Sequence, residues 1–192
     1  MANAAALTTR IAQGGIVAAA AGVFARLGYE ATRVEDILEA AGIARRTFYK
    51  YFKSKDEVLA ALYELATGEL LKAVRASGAS PDPVEGIKQT LDLYLDYHVE
   101  NAALLRVLTE QAIRSESPLF EPRRRFREEL GQILDQALRG RGKKGNDPML
   151  YAAMLSAIEG LSLELLATGS DPAQVKRAKK VMAFVLDRVL DH

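Results

Sequence analysis

The sequence contains no cysteine among its 192 residues, and histidine occurs only twice, at His98 and His192. Without cysteine the chain cannot form disulfides, a thiolate nucleophile or a cysteine zinc site. A large excess of charge is also missing, because 26 basic residues stand against 25 acidic residues. A nucleic-acid surface would therefore have to be a local patch rather than a property of the whole molecule.

Long apolar runs and catalytic motifs are missing as well. No stretch approaches the roughly 18 uninterrupted apolar residues of a membrane span, and the Ala-rich start lacks the basic region of a signal peptide. There is no Gly-x-Ser-x-Gly or His-Glu-x-x-His motif and no phosphate-binding glycine loop. Glu159 and Glu164 have no second partner that would complete a metal site. We therefore expect a cytoplasmic protein that is not an enzyme, with no membrane association, metal or cofactor.

What the sequence does contain is helical patterning, with no convincing run of strand-type alternation. Two short helices are predicted over residues 34–41 and 45–51, and the capping box that begins at Ser54 opens a longer one. Asp147 and Asp171 each precede a proline, which predicts an N-cap followed by the first helical residue. The expected fold class is all-α, with about nine helices.

The stretch 77–83, SGASPDP, contains the glycine and prolines that stop a helix and is the best candidate for a linker. We predict a three-helix module over residues 1–55 and a larger helical domain over residues 77–192. A fourth helix, over about residues 55–76, would connect them.

Residues 45–55, RRTFYKYFKSK, combine five basic and four aromatic side chains with no acid. Gly42 supplies a turn between the two short helices, as in a helix-turn-helix. Phe48 and Phe52 would anchor the second helix, while the opposite side would carry donors, acceptors and a planar edge suited to the DNA major groove. Its predicted DNA-facing residues are Arg45, Arg46, Thr47, Tyr49 and Lys50. The alternative is a solvated basic helix with an aromatic underside.

Residues 29–62 resemble the DNA-binding module of the TetR family of transcriptional regulators. The residues that match its pattern are Tyr29, Thr32, Ile37, Ala41, Gly42, Tyr49, Phe52, Ser54, Lys55 and Leu59. The resemblance implies that Thr32 and Lys55 hold phosphates, that Thr47 and Tyr49 enter the groove, and that Tyr51 lies on the DNA backbone. It therefore implies double-stranded DNA as a partner.

Two residues depart from the family pattern. Ala44 stands where serine is usual, which removes a side-chain N-cap and costs about 1 kcal/mol locally. Arg46 replaces a common glycine and adds a long donor. Arg45 or Arg46 is therefore a candidate guanine reader.

The resemblance also implies a homodimer, because one helix-turn-helix covers half of a two-fold site. In the family the last two helices pair with their copies, and here both carry apolar faces. The residues expected at this interface are Tyr151, Leu155, Ile158, Leu165, Phe184 and Val185. The alternative is that these faces belong to the core.

Finally, the resemblance implies that the middle helices enclose a pocket for a small inducer. The expected lining residues are Leu91, Tyr94, Leu95, His98, Leu105, Leu108, Thr109 and Phe126. A largely apolar lining suits a hydrophobic ligand, and the absence of a basic cluster disfavours a highly anionic one. The function expected is a homodimeric repressor of a palindromic operator, released by the ligand. A helical sensor or carrier without specific DNA binding is the main alternative, and a non-specific nucleoid protein is less favoured.

Overall fold

The computed structural model describes residues 2–79, 81–139, 147–168 and 171–190, and every regular element in that part of the chain is α-helical. This confirms the all-α prediction. The described residues form nine helices: α1 (Ala2–Leu27), α2 (Val34–Ala41), α3 (Arg45–Tyr51), α4 (Lys55–Gly78), α5 (Pro83–Glu100), α6 (Ala102–Ala112), α7 (Phe120–Arg139), α8 (Pro148–Ala167) and α9 (Pro172–Leu190).

The chain divides into two compact units. The first is Met1–Ala66 together with Ala103–Pro122, and the second is Thr67–Ala102 together with Arg123–His192. Helix α6 groups with the first unit, although it lies within the predicted 77–192 domain. The predicted domain boundaries, 1–55 and 77–192, stay a prediction.

The caps that begin the helices are largely those expected from the sequence. The carboxylate of Asp147 accepts from the Met149 amide at 2.8 Å, and that of Asp171 accepts from the Ala173 amide at 3.2 Å. At the start of α4, the Ser54 hydroxyl accepts from the amides of Asp56 and Glu57 at 3.2 and 3.4 Å. Each bond satisfies an amide that has no partner within its own helix.

Helix α7 begins at Phe120. In the turn before α7, the Ser117 hydroxyl accepts from the Leu119 amide at 3.1 Å. Pro122 is tolerated since it falls in the first turn, where an amide proton has no helical acceptor.

The core of the first unit is built where α1, α2, α3 and the start of α4 meet. Phe24, Ile37 and Phe48 are each 0% exposed, and burying side chains of this size stabilises a fold by roughly 1.5–3 kcal/mol each. The other buried apolar residues of this region are Ile16, Val17, Ala20, Val23, Phe52, Val58, Leu59, Leu62 and Tyr63. This core fixes the orientation of α3.

The second unit has two buried apolar clusters. The larger one draws on α4, α5, α7, α8 and α9, and its members include Leu71, Val74, Ile87, Leu130, Leu134, Met154 and Leu186. The smaller one joins Leu95 of α5 to Leu165 of α8 and to Ala178 and Met182 of α9. The pocket described below lies within this unit.

Two described helical segments, Ala6–Leu27 of α1 and Pro148–Ala167 (α8), are long and apolar enough to cross a membrane by length and composition alone. In the protein, 28% and 33% of their most apolar windows are buried. Core helices pass the same test, so the finding is weak evidence for a span.

Candidate nucleic-acid interface and ligand pocket

The turn between α2 and α3 depends on Gly42. Its backbone has φ 63° and ψ 34°, the left-handed conformation that glycine adopts without a steric penalty. The Ile43 amide then donates to the Leu38 carbonyl at 3.1 Å, which closes the end of α2. The next helix has Ala44 as its N-cap, without a side-chain bond, as predicted from the sequence.

The two sides of α3 differ sharply in burial. Phe48 is 0% exposed and Phe52 is 6% exposed, whereas Tyr49 is 48% exposed. The rings of Phe48 and Tyr49 meet edge to face, with centroids 5.3 Å apart at 84°. Arg46 and Lys50 are exposed as well. The aromatic side therefore anchors the helix, and its opposite side presents cations and a phenol to solvent.

The two arginines that begin α3 have different surroundings. The Arg45 guanidinium pairs with the Glu35 carboxylate of α2. Within the described residues, Arg46 has no hydrogen-bond or ion-pair partner. Of the two candidate guanine readers, Arg46 is therefore the one whose guanidinium is not bound to another group within the described residues. Thr47 and Tyr51 are half-buried, and Lys50 Nζ lies 5.2 Å from the centroid of the Tyr51 ring.

Thr32 and Lys55, the two expected phosphate ligands, are engaged inside the module. Thr32 is 1% exposed, and its hydroxyl donates to the Gly28 carbonyl at 2.6 Å. Lys55 Nζ donates to the carbonyls of Tyr29, Glu30 and Thr32 at 2.8, 3.3 and 2.9 Å, which uses all three ammonium protons. In this conformation both side chains hold the loop between α1 and α2. Their predicted phosphate contacts stay a prediction.

The start of α2 is capped by Asp36 rather than by the Thr32 hydroxyl. The carboxylate of Asp36 accepts from the Arg33 amide at 2.7 Å, and Arg33 is the N-cap residue. The Thr32 hydroxyl is committed to the preceding loop, so it does not cap the helix.

Tyr29 belongs to the same loop and was not among the predicted site residues. Its hydroxyl donates to the Asp56 carboxylate, and Lys55 Nζ lies 4.4 Å from its ring centroid. Burial, with the neighbouring Asp56 carboxylate, raises the pKa of Tyr29, so the phenol stays protonated. Tyr29 and Lys55 together join the loop before α2 to the first turn of α4.

The second unit contains a cavity of about 70 Å³. Of the predicted ligand-binding residues, Leu91, Tyr94 and Phe126 line it. The other lining residues are Leu70, Val74, Ile87, Thr90, Leu130, Leu134, Met154, Leu155, Ile158, Glu159 and Leu186. The walls are thus contributed by α4, α5, α7, α8 and α9.

The remaining predicted ligand residues lie elsewhere. Leu105, Leu108 and Thr109 are on α6, which groups with the first unit, and the two leucines are buried there. Leu95 is 0% exposed in the smaller core cluster of the second unit. His98 is buried next to Tyr94 and does not line the cavity. Helical spacing identified the buried sides of these helices correctly but not the neighbours that cover them.

Two polar groups near the cavity are held neutral by burial. Burial raises the pKa of Tyr94, whose side chain hydrogen-bonds Ser162. Burial lowers the pKa of His98 to about 4, although a hydrogen bond from its Nδ1 position to the Tyr94 carbonyl, 2.9 Å long, opposes the shift. Both side chains are therefore uncharged at neutral pH.

Sequence reasoning missed a charged cluster beside the cavity. Arg123 of α7 donates to both oxygens of the Glu159 carboxylate, from Nε at 3.1 Å and from Nη2 at 2.5 Å. Arg127 donates to the same carboxylate at 2.5 Å and also to the Ala152 carbonyl and the Ser156 hydroxyl. The three charged side chains are only 15–22% exposed. Spacing four residues apart placed the arginines on one side of α7, but nothing local indicated Glu159, more than thirty residues away.

The surface formed by α8 and α9 is partly apolar. Phe184 is 58% exposed and Val181 is 47% exposed. A groove beside them is lined by Ala157, Ile158, Gly160, Leu161, Glu164, Val181, Met182 and Val185. Of the predicted interface residues, Ile158 and Val185 line this groove. Tyr151, Leu155 and Leu165 are 4%, 7% and 5% exposed, so the structure corrects their assignment and places them in the protomer's own core.

A helix-turn-helix with a basic second helix, followed by a helical unit that contains an apolar cavity, is the arrangement expected of one-component DNA-binding regulators. Residues 16–62 match the family of bacterial regulatory proteins named for TetR. This match covers the helix-turn-helix module, about a quarter of the chain. Relatives that match part of the chain are named as transcriptional regulators, in agreement with the prediction that the chain is not an enzyme.

Individual relatives resemble the chain over part of its length. It is 33% identical to a helix-turn-helix transcriptional repressor of Streptomyces coelicolor over 93 residues, 48% of this chain and 45% of the repressor. The chain spans about half the length of the first curated relatives it matches.

Solved structures share the fold over most of both chains. The fatty acid degradation regulator FadR of Bacillus halodurans has a TM-score of 0.75 at 21% identity, covering 91% of this chain and 94% of its own. Thermus thermophilus FadR, solved with lauroyl-CoA, has a TM-score of 0.71 at 19% identity, covering 92% and 94%. At these identities the likeness establishes the fold.

Proposed function

We propose that the protein is a sequence-specific, DNA-binding transcriptional regulator, a repressor that acts in the cytoplasm. One observation carries the proposal: α3 buries Phe48 and Phe52 and turns Arg46, Tyr49 and Lys50 outward on a helix-turn-helix. Arginine recognises guanine through two parallel hydrogen bonds, and lysine contributes phosphate attraction. Arg46 is therefore the principal base reader, with Tyr49 beside it.

Selection of bound sequences from fragmented source DNA, at low and at moderate salt, tests this proposal. A specific dimeric regulator should recover one short palindrome that survives moderate salt, because base contacts add to the salt-sensitive phosphate term. Recovery of unrelated sequences that all dissociate with salt would contradict it and would favour a basic surface without specificity.

The protein acts as a homodimer that reads two half-sites of a palindromic operator. Supporting this proposal, Phe184 and Val181 expose apolar area beside a groove, and the small residues Ala157 and Gly160 in that groove permit close approach of another helix. Sedimentation velocity should give twice the protomer mass. The double substitution Val181→Glu and Phe184→Glu should give monomers that keep their helical content, and a dimer that persisted would place the interface elsewhere.

A small, largely hydrophobic molecule is the proposed inducer, and the cavity beside Leu91, Tyr94 and Phe126 is its site. Its present volume of about 70 Å³ is well below the roughly 300–1,000 Å³ typical of ligand pockets. A ligand must therefore move the cavity walls in order to enter. This requirement links binding to a change of conformation, as release of an operator requires.

The second candidate function is a helical sensor or carrier that binds the same ligand without specific DNA binding. The cavity supports this alternative because a ligand can bind there without any contribution from α3. If a ligand binds but the DNA selection recovers no operator, this alternative becomes the favoured function.

A further inference from the structure

We propose that the inducer is an anionic amphiphile, an aliphatic acid whose carboxylate binds between Arg123 and Arg127 while its chain fills the cavity. The inference rests on the proposed ligand site and adds the chemical class of the ligand. It reverses the expectation from the sequence, which disfavoured an anionic ligand because no basic cluster was evident near the predicted pocket.

The charge balance of the cluster is the first argument. Arg123 and Arg127 bring two positive charges, and Glu159 is the one carboxylate that either guanidinium meets within the described residues. With 15–22% exposure of these side chains, water screens the uncompensated positive charge less than it would on the surface. One further anion would make the cluster neutral.

The position of the cluster is the second argument. Glu159 lines the cavity, and both guanidinia bind its carboxylate from behind the lining. The movement of the cavity walls that entry of a ligand requires can therefore bring its polar end to the guanidinia. The rest of the lining is almost entirely apolar, and the other polar side chains on it have partners. The Thr90 hydroxyl lies 2.5 Å from Ser77 Oγ and donates to the Gly86 carbonyl at 3.0 Å. The cavity therefore offers charge at one place and hydrocarbon elsewhere, which is the pattern of an acid with an aliphatic tail.

The geometry of guanidinium recognition is the third argument. Arg123 already holds a carboxylate through two donors, the bidentate arrangement that guanidinium groups prefer. The Glu159 side chain thus already fills a carboxylate-binding site of the protein. An incoming carboxylate shares the two guanidinia with Glu159, so Glu159 weakens the binding of the ligand.

Calorimetric titration of the full chain with decanoate and with decan-1-ol tests this inference, because the two probes share a ten-carbon chain and differ in charge. Decanoate should bind at least about tenfold more tightly than decan-1-ol, and decyltrimethylammonium should bind weakest. Glu159→Gln should tighten decanoate binding several-fold and leave decan-1-ol binding unchanged, because it removes the competing charge and keeps the shape.

Arg123→Gln together with Arg127→Gln should remove the preference for decanoate. Circular dichroism checks the folding of this variant, and if it does not fold, the Glu159→Gln result decides alone. The matched control is Arg124→Gln, on the same helix, where Arg124 is 53% exposed and pairs with Glu128. It should leave the binding of both probes unchanged.

The outcomes separate the two proposals. Equal binding of decanoate and decan-1-ol would overturn the anionic ligand and leave the hydrophobic pocket in place. Tightest binding of the ammonium probe would overturn it by making Glu159 the anchor. Binding of no probe would remove the ligand site and the inference together, while recovery of an operator would still be judged by the DNA selection.

Discussion

Arginine and tyrosine occur both on the outer side of α3 and inside the second unit, in opposite surroundings. Arg46 and Tyr49 are exposed, and no ion pair or hydrogen bond from the described residues holds the Arg46 guanidinium. Arg127 is 15% exposed and bonded to Glu159, and burial raises the pKa of Tyr94. Burial and partners, rather than residue type, therefore separate a surface that is free to bind DNA from an interior that holds the protein together.

The difference has an energetic consequence. Exposed charges contribute little to stability, typically about 0–1 kcal/mol even when paired. A partly buried charge that loses its partner costs several times as much. Substitutions on the outer side of α3 should therefore change binding at nearly constant stability, whereas those inside should change stability first.

The largest effect is expected from the two adjacent aromatic residues of α3. Phe48→Ala should lower the free energy of unfolding by about 4 kcal/mol, because Phe48 is 0% exposed and its loss leaves a cavity. Tyr49→Ala should lower it by less than about 1 kcal/mol, since half of that ring is already in water. Urea denaturation of the two variants makes the comparison, and equal losses would mean that the two sides of α3 are not distinct.

The arginine pair should give the next largest difference. Arg127→Met should destabilise the protein by roughly 1.5–3 kcal/mol, because the bonds of Arg127 to Glu159, to the Ala152 carbonyl and to Ser156 are lost. Arg46→Met should change stability by less than about 0.5 kcal/mol. Thermal denaturation at two salt concentrations measures both effects. A destabilised Arg46 variant would show that Arg46 has a structural role.

Acidification should test the interior alone. The pKa of His98 is about 4 in the folded protein and 6.5 in the unfolded chain, so the unfolded chain binds more protons between these values. The stabilising contribution is complete above pH 6.5 and is lost as pH falls, by about 2 kcal/mol between pH 7 and pH 5. Urea midpoints should therefore fall over this range, and His98→Gln should flatten the fall. An equal slope in the variant would assign the effect to other groups.

The smallest of the main expected effects is the loss of DNA affinity in Tyr49→Ala. Removing one side chain from the proposed DNA surface should weaken operator binding by about 1–2 kcal/mol, roughly tenfold. Fluorescence anisotropy at fixed salt measures the change, with Arg114→Ala, an exposed site on the first unit, as the control. Unchanged affinity would remove Tyr49 from the DNA surface.

Helix α3 and the turn that precedes it were predictable because the sequence features that specify them are local. The bounds 34–41 and 45–51, the turn at Gly42 and the missing cap at Ala44 all follow from neighbouring residues, and the structure has each of them. The side-chain roles of Thr32 and Lys55 were not predictable, because they depend on which carbonyls a loop turns toward them.

The pocket was only partly predictable for a related reason. Helical spacing shows that Leu105 and Leu108 are buried but not that α6 groups with the first unit. The contacts of Arg123 and Arg127 with Glu159 cross from α7 to α8 and depend on packing that no short segment specifies. When the sequence of α7 is considered alone, Arg123 and Arg127 look like residues of a solvent-exposed face.

The missing cap at Ala44 gives α3 a particular physical character. A seven-residue helix has too few hydrogen bonds to offset the cost of nucleation, and here no side chain of the N-cap residue supplies one. Its order is therefore supplied by Phe48 and Phe52, that is, by the hydrophobic interior beneath it. The helix should melt only with its surroundings as one cooperative unit, so that loss of DNA binding on heating reports the temperature at which the whole three-helix module comes apart.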